Sequence, residues 1–431
     1  MVNQMIGFFK KTPSVFHAIK NFSDMLDEAG FTALKESEAW TLKKGGKYYV
    51  TRNNSSVIAF KVPKKAFSGL LITASHCDSP VFKIKEFAEV EVRGRYIQLD
   101  TEKYGGPILT SWLDRPLSFA GRVLVKTDKG IETRLIDAGK PCLIIPNVAP
   151  HLKRDINDGM KYNLMTDMFP LFGDITVRGG FKKLVAELAG TTEENILGHD
   201  LFLYGTAEPT VWGPNDEFIS AERLDDLECA YTTAQGFLAA SPKGGMPVLA
   251  IFDNEEVGST TKQGANSTFL TDTLTRVCES LGMTREEFLR AQSCSMMLSC
   301  DNAHAVHPNH PELFDAVNNC EMNKGIVIKE AANQKYTSDG VSKAMFRFIL
   351  DRAGVPVQYF ANRSDMVGGG TLGNIANTHY SLNTVDIGLA QLSMHSVYET
   401  AGTRDVQYMI DGAKAFYEAD IKAIQDGAYN I

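Results

Sequence analysis

The chain has 431 residues, 44% hydrophobic and 22% charged, with 44 Lys+Arg against 52 Asp+Glu and a formal net charge of −8. This excludes a disordered chain, allows two or three domains, and argues against a nucleic-acid partner, which calls for a basic excess. No apolar run reaches the ~20 residues of a membrane span, Met1–Lys11 is too short and mixed for a signal peptide, and seven widely spaced cysteines without a C-x-x-C pair read as reduced thiols of a cytoplasmic protein.

In chain order, Phe8, Phe9, Val15, Phe16, Ile19 and Phe22 predict one helical face. Gly45-Gly46 then precedes a hairpin of Tyr48–Arg52 and Val57–Val62. Three later apolar runs end abruptly in polar residues. Leu70–Ala74 leads into Ser75-His76-Cys77-Asp78, Val248–Phe252 into Asp253-Asn254-Glu255-Glu256, and Met296–Leu298 into Ser299-Cys300-Asp301. Runs apolar at every position predict strands buried on both faces. Helical patterns at Leu224–Ala240 and Arg404–Asp420 complete an α/β arrangement. Residues 86–217 differ: they alternate (Val90, Val92; Val123, Val125) and are dense in Gly and Pro. They read as a mainly β insertion that divides the α/β domain into 1–85 and 218–431.

Ligands of open α/β sheets bind beyond the carboxyl ends of the strands. There the sequence sets His76, Asp78, Glu255, Glu256 and Asp301. Crowded carboxylates repel one another away from water, and a cation removes that cost. Mixed His and carboxylate donors suit Zn²⁺, with Co²⁺ or Mn²⁺ as alternatives. In His76-Cys77-Asp78 the His offers a ligand and Asp78 lies on the same side to orient it, while Cys77 points into packing; a turn with a local hydrogen bond has the same spacing. Of Glu255 and Glu256, one carboxylate suits a metal and its neighbour a general base, although adjacent glutamates also occur as solvated charges. Asp225 fits either a metal bridge or a carboxylate complementing a helix dipole. A lone His395 reads equally as a buried, hydrogen-bonded histidine, and His304, His307 and His310 read as packed loop residues. Gly368-Gly369-Gly370 has no dinucleotide-binding context.

Taken together these segments resemble the M18 aminopeptidases, the aspartyl-aminopeptidase-like dinuclear zinc exopeptidases, in their bacterial form. The motifs are Ser75–Pro80, Tyr104-Gly105-Gly106, Trp112–Leu117, Ile145-Pro146-Asn147, Arg223-Leu224-Asp225, Asp253–Ser259, Asp301–Asn309 and Met394-His395-Ser396. The resemblance implies a three-layer αβα zinc-exopeptidase domain with the insertion as a dimerisation domain. It implies two divalent metal ions per subunit, most readily Zn²⁺. Asp225 would bridge them, His76, Glu256, Asp301 and His395 would complete the ligands, Glu255 would be the general base and Asp78 would orient His76. His151 would reach a neighbouring subunit's site, and Lys329 would lie near an acidic substrate side chain. A peptide substrate cleaved after an acidic or neutral N-terminal residue, and a dimer-based homo-dodecamer, are the family expectations. The Ser364–Thr371 loop departs from the acid-specific pattern and leaves that preference open. A metal-dependent deacylase and a non-catalytic assembly protein are the rival readings.

Overall fold

The computed structural model describes residues 1–431. Its centre is a nine-stranded mixed sheet. Across it the strands run Thr32–Leu34, Lys47–Arg52, Ser56–Lys61, Met246–Phe252, Leu70–His76, Met296–Cys300, Asn383–Gly388, Ile326–Glu330 and Val357–Ala361. The Leu70–His76 strand is parallel to both of its neighbours, so His76, Phe252 and Cys300 finish at the same sheet edge. All three carry chemistry in the residues that follow, which is the strand-end placement the sequence predicts.

Side-chain alternation explains the layers. Leu249 and Ile251 face one core with helices Leu224–Ala239 and Asp405–Tyr417, whereas Val248, Ala250 and Phe252 face another with helix Phe269–Ser280. A strand apolar at every position therefore serves two cores at once, and the sheet is sandwiched between helical layers. Fully burying each such Leu, Ile or Phe contributes roughly 1.5–3 kcal/mol. The result is the expected three-layer αβα fold.

The amino-terminal helical face differs from expectation. Two helices form, Val2–Phe9 and Val15–Glu28. Pro13 lies between them, and its missing N–H and fixed φ end the first before the second begins. Both still press Phe9, Ile19 and Phe22 into the central core.

A second sheet of six strands is drawn wholly from residues 81–205, in the order Gly130–Asp137, Leu117–Thr127, Ile196–Gly205, Val81–Val92, Tyr96–Tyr104 and Leu171–Asp174. It is antiparallel throughout and covers a core of its own that includes Phe82, Leu99, Phe119 and Leu203. Its one long helix, Gly180–Leu188, packs Phe181 and Val185 into that core. A smaller five-stranded sheet joins Thr210–Trp212 and Phe218–Ala221 to Glu399–Gly402, Ala390–Leu392 and Ala303–His304. No helix is long and apolar enough to cross a membrane.

Candidate metal centre

The centre is built from five chain segments, those of His76, Asp225, Glu255, Asp301 and His395, which meet at one end of the central sheet. His76 closes its strand and is 1% exposed. Its Nδ1 lies 3.1 Å from the Asp78 carbonyl oxygen and 3.4 Å from Asp78 Oδ1, which turns Nε2 toward Asp225. Asp78 has a second task. Its carboxylate accepts the backbone N–H groups of Glu255 and Glu256, each at 3.1 Å. One residue thus holds both, the histidine chiefly through its carbonyl and the glutamate turn through its carboxylate. Cys77 faces away, with its Sγ toward the Ser55 and Phe252 carbonyl oxygens.

Glu255 and Glu256 open a single 3-10 turn, entered through Asn254 in the left-handed region at φ 64. Asn254 holds that conformation through Thr261, Gln263 and Tyr104. Asp225 is buried at the start of Leu224–Ala239, but Asp225 and Asp226 have non-helical dihedrals and the peptide between them is cis. The helix proper starts after them, so Asp225 is held by tertiary contacts and not by the first helical turn. Its N–H donates to Glu399 at 2.9 Å, and the other oxygen of that buried carboxylate accepts the His395 N–H at 2.7 Å. Glu399 thereby restrains His395 in its left-handed conformation at φ 70. Asp301 follows its strand beneath Gly388, where an added Cβ would lie only 2.0 Å from the Asp301 carbonyl oxygen.

Distances decide what these groups are suited to hold. His76 Nε2 lies 3.5 Å from Asp225 Oδ1, and His395 Nε2 lies 3.5 Å from Asp225 Oδ2 and from Glu256 Oε2. These separations are long for hydrogen bonds. They match the ~3.4 Å between two ligands bound tetrahedrally to one Zn²⁺ at ~2.0–2.1 Å. Donor atoms of His76, Asp225 and Glu256 fall within 4.8 Å of one another, as do those of Asp225, Asp226 and Asp301. Asp225 Oδ1, Asp226 Oδ1 and Glu256 Oε1 are buried with no hydrogen-bond partner. Buried oxygens without donors are costly unless a cation meets them, so the donor set fits divalent metal.

The electrostatics agree. Burial pushes the Glu255 carboxyl up to about 7, with Asp301 and Asp78 adding to the rise against His76. Burial likewise raises Glu256 and Asp301. For Asp225, burial is outweighed by His395 and His76, which hold it below the usual carboxylate range. His76 is raised because Asp225 and Asp78 overcome its burial.

The structure thus brings together His76, Asp78, Asp225, Glu255, Glu256, Asp301 and His395. Asp226 joins them, accepting the His76 N–H at 3.1 Å; the Asp225-Asp226 doublet was its only signal in the sequence. Glu399 escaped sequence reasoning, since a single residue far along the chain reveals nothing of its neighbours, and Tyr104 stood out only as part of the Tyr104-Gly105-Gly106 motif, with no role attached. Lys329 lies below the centre, 1% exposed, donating to the Asp301 and Asn302 carbonyl oxygens at 2.7 and 3.3 Å, with Asp301 Oδ2 at 3.7 Å. His151 stands apart, exposed in a turn of the inserted region. His304 pairs in a two-residue strand and sets its ring edge-on to Phe360.

The family model for the aminopeptidase I zinc metalloproteases (M18) matches residues 8–417. The chain belongs to the M18 family. A probable M18 family aminopeptidase 2 of Clostridium acetobutylicum is 45% identical over 422 residues, covering 96% of this chain and 98% of that one. The structure of Ape4 in complex with Nbr1 superposes with a TM-score of 0.93 at 32% identity, covering 96% of this chain and 85% of that one. The S. cerevisiae mApe1 dodecamer superposes with a TM-score of 0.84 at 26% identity, covering 96% and 95%. The chain is a metallo-aminopeptidase, and the fold described above is that of an M18 enzyme.

Proposed function

We propose that this M18 enzyme releases the N-terminal residue of peptides with two divalent ions, zinc foremost, held on either side of Asp225. The observation that carries this reading is the pair of histidine nitrogens facing opposite oxygens of one buried carboxylate, each at 3.5 Å. His76 and Asp301 would serve one ion, His395 and Glu256 the other. Ions bound there would lower the pKa of water toward neutrality and polarise the scissile carbonyl. Glu255 takes a proton from the attacking water and returns it to the departing amine. Its carboxyl stands at about 7 without added positive charge, and nearby cations pull it down, leaving it ionised at neutral pH. The acidic surroundings attract the protonated α-amine of the substrate and so confine cleavage to the first residue.

Lys329 is the residue proposed to favour an acidic first side chain. Its buried ammonium acts through its charge, which argues for a preference and not for an absolute requirement, so neutral residues are cleaved as well. We assign the region 86–217 to dimerisation and the whole enzyme to a dimer-based dodecamer, in keeping with the mApe1 neighbour. The exposed His151 then becomes a contact to a partner's site. The deciding experiment offers zinc-loaded enzyme matched peptides with free and acetylated N-termini. Cleavage of the free set alone supports the reading. Faster release from the acetylated set would replace it with a deacylase.

A further inference from the structure

The inserted sheet sends one strand end into the metal centre. Strand Tyr96–Tyr104 belongs to the six-stranded sheet and runs directly into Gly105-Gly106. The Tyr104 hydroxyl donates to Asp78 Oδ2 at 2.6 Å and accepts from Asn254 Nδ2 at 2.9 Å. Two residues later, the Gly106 carbonyl oxygen lies 3.1 Å from His395 Nδ1. Gly105 makes the approach feasible: it sits at φ +69, and a Cβ there would stand 3.1 Å from Glu256 Cβ. From one strand end, therefore, Tyr104 reaches the carboxylate beside His76 and Gly106 reaches His395 itself.

We propose that Tyr104 and the Gly106 carbonyl are the positioning groups that couple the inserted sheet to both metal sites. The inference rests on the two-ion reading above. The path to the first site runs from the Tyr104 hydroxyl through the Asp78 carboxylate to the N–H groups of Glu255 and Glu256, and the same residue holds His76 Nδ1 at 3.1 Å through its carbonyl and at 3.4 Å beside its carboxylate. The path to the second is direct, because a carbonyl accepting from Nδ1–H leaves Nε2 as the free donor. The Tyr104 hydroxyl also gives Asp78 a fourth neighbour besides His76 and the two glutamate N–H groups. Without it the carboxylate keeps only the two glutamate N–H groups as hydrogen-bond donors, each at 3.1 Å, and the shared anchor of the histidine and the base is loosened. Tyr104 touches no reacting atom. It acts through Asp78, and any displacement of the inserted sheet is felt at both ions.

Tyr104→Phe isolates the hydroxyl, because the ring keeps its edge-on packing against Phe202 at 5.8 Å. Chelated enzyme is titrated with Co²⁺ alone and followed by its visible absorption, with melting of the metal-free protein recorded alongside. The expected result is about 10–100-fold weaker binding of one Co²⁺, a shifted spectrum, a fall in kcat larger than any change in KM, and unchanged metal-free melting. Wild-type affinity and spectrum in Tyr104→Phe would overturn the inference alone. A lower metal-free melting temperature with a normal spectrum would overturn it too, as the sign of a merely structural role. A wild-type chain that takes up fewer than two Co²⁺ would overturn the two-ion reading and this inference with it.

Discussion

The two large sheets use the same alternation to opposite ends. In the nine-stranded sheet both faces are packed with apolar side chains, and the charged residues of the centre lie at or just beyond the ends of its strands. In the six-stranded sheet Phe82, Ile84, Leu201 and Leu203 line one face, while Lys83, Arg122 and Asp200 stand on the other. Those charges satisfy one another: Lys83 and Arg122 reach Asp200 at 2.6 and 2.8 Å and hold its carboxyl down against burial. At the strand ends of the central sheet the balance differs, with Lys329 placed beside Asp301 and no lysine or arginine paired to Asp225 or Glu256. The carboxylates there converge on each other, and several buried oxygens are left without donors. A charge cluster that neutralises itself is structural, whereas one that cannot calls for a cation.

The sharpest way to break that contrast is to remove the shared carboxylate. Asp225→Ala should bind less than one ion per chain by elemental analysis and show no measurable peptidase activity, while charge-neutralising changes at Asp200 leave metal content intact. Glu255→Gln comes next. It should keep both ions and lose about 10²–10⁴-fold in kcat; retention of more than about a tenth of wild-type kcat would remove Glu255 as the base.

Lys329→Met should reduce kcat/KM for acidic first residues about ten- to a hundredfold more than for leucine, the range expected of one shielded charge at an effective dielectric near 20. Equal losses on both substrates would mean that Lys329 only supports the Asp301 segment. On the inserted side, His151→Ala should lower activity and recover in part when mixed with Glu255→Gln chains, since each oligomer then holds intact pairs. Verified mixed oligomers without recovery would refute a role across subunits.

The smallest effect concerns pH. Burial raises Glu222 and Glu228 to about 8 and Asp405 to about 7. The folded chain then holds more protons than the unfolded one, so this stability is present near pH 4.5 and is lost as pH rises through 7–8. Metal-free protein should melt several degrees lower at pH 8 than at pH 5.5. Zinc should flatten the dependence, because ionised carboxylates at the centre gain a partner.

Much of this was written locally. Runs such as Val248–Phe252 announced strands buried on both faces, because a residue's environment alternates with its position in the strand. Their polar ends marked His76, Glu255 and Asp301, since chemistry gathers where parallel strands stop. The order of motifs from Ser75 to Ser396 carried the family, because many short matches in one order are far more specific than any one of them. Other features were beyond local reach. Pro13 split a helical face whose apolar spacing alone looked continuous. Asp225 looked like a helix-start residue, yet its conformation is set by Glu399, 174 positions away. Tyr104 and Gly106 belong by sequence to the inserted sheet and by contact to the metal centre. Sequence by itself determined which residues could bind a cation and on which elements they sit. Only the tertiary structure decided their convergence on Asp225, because ligand geometry depends on distances between segments that no local pattern encodes.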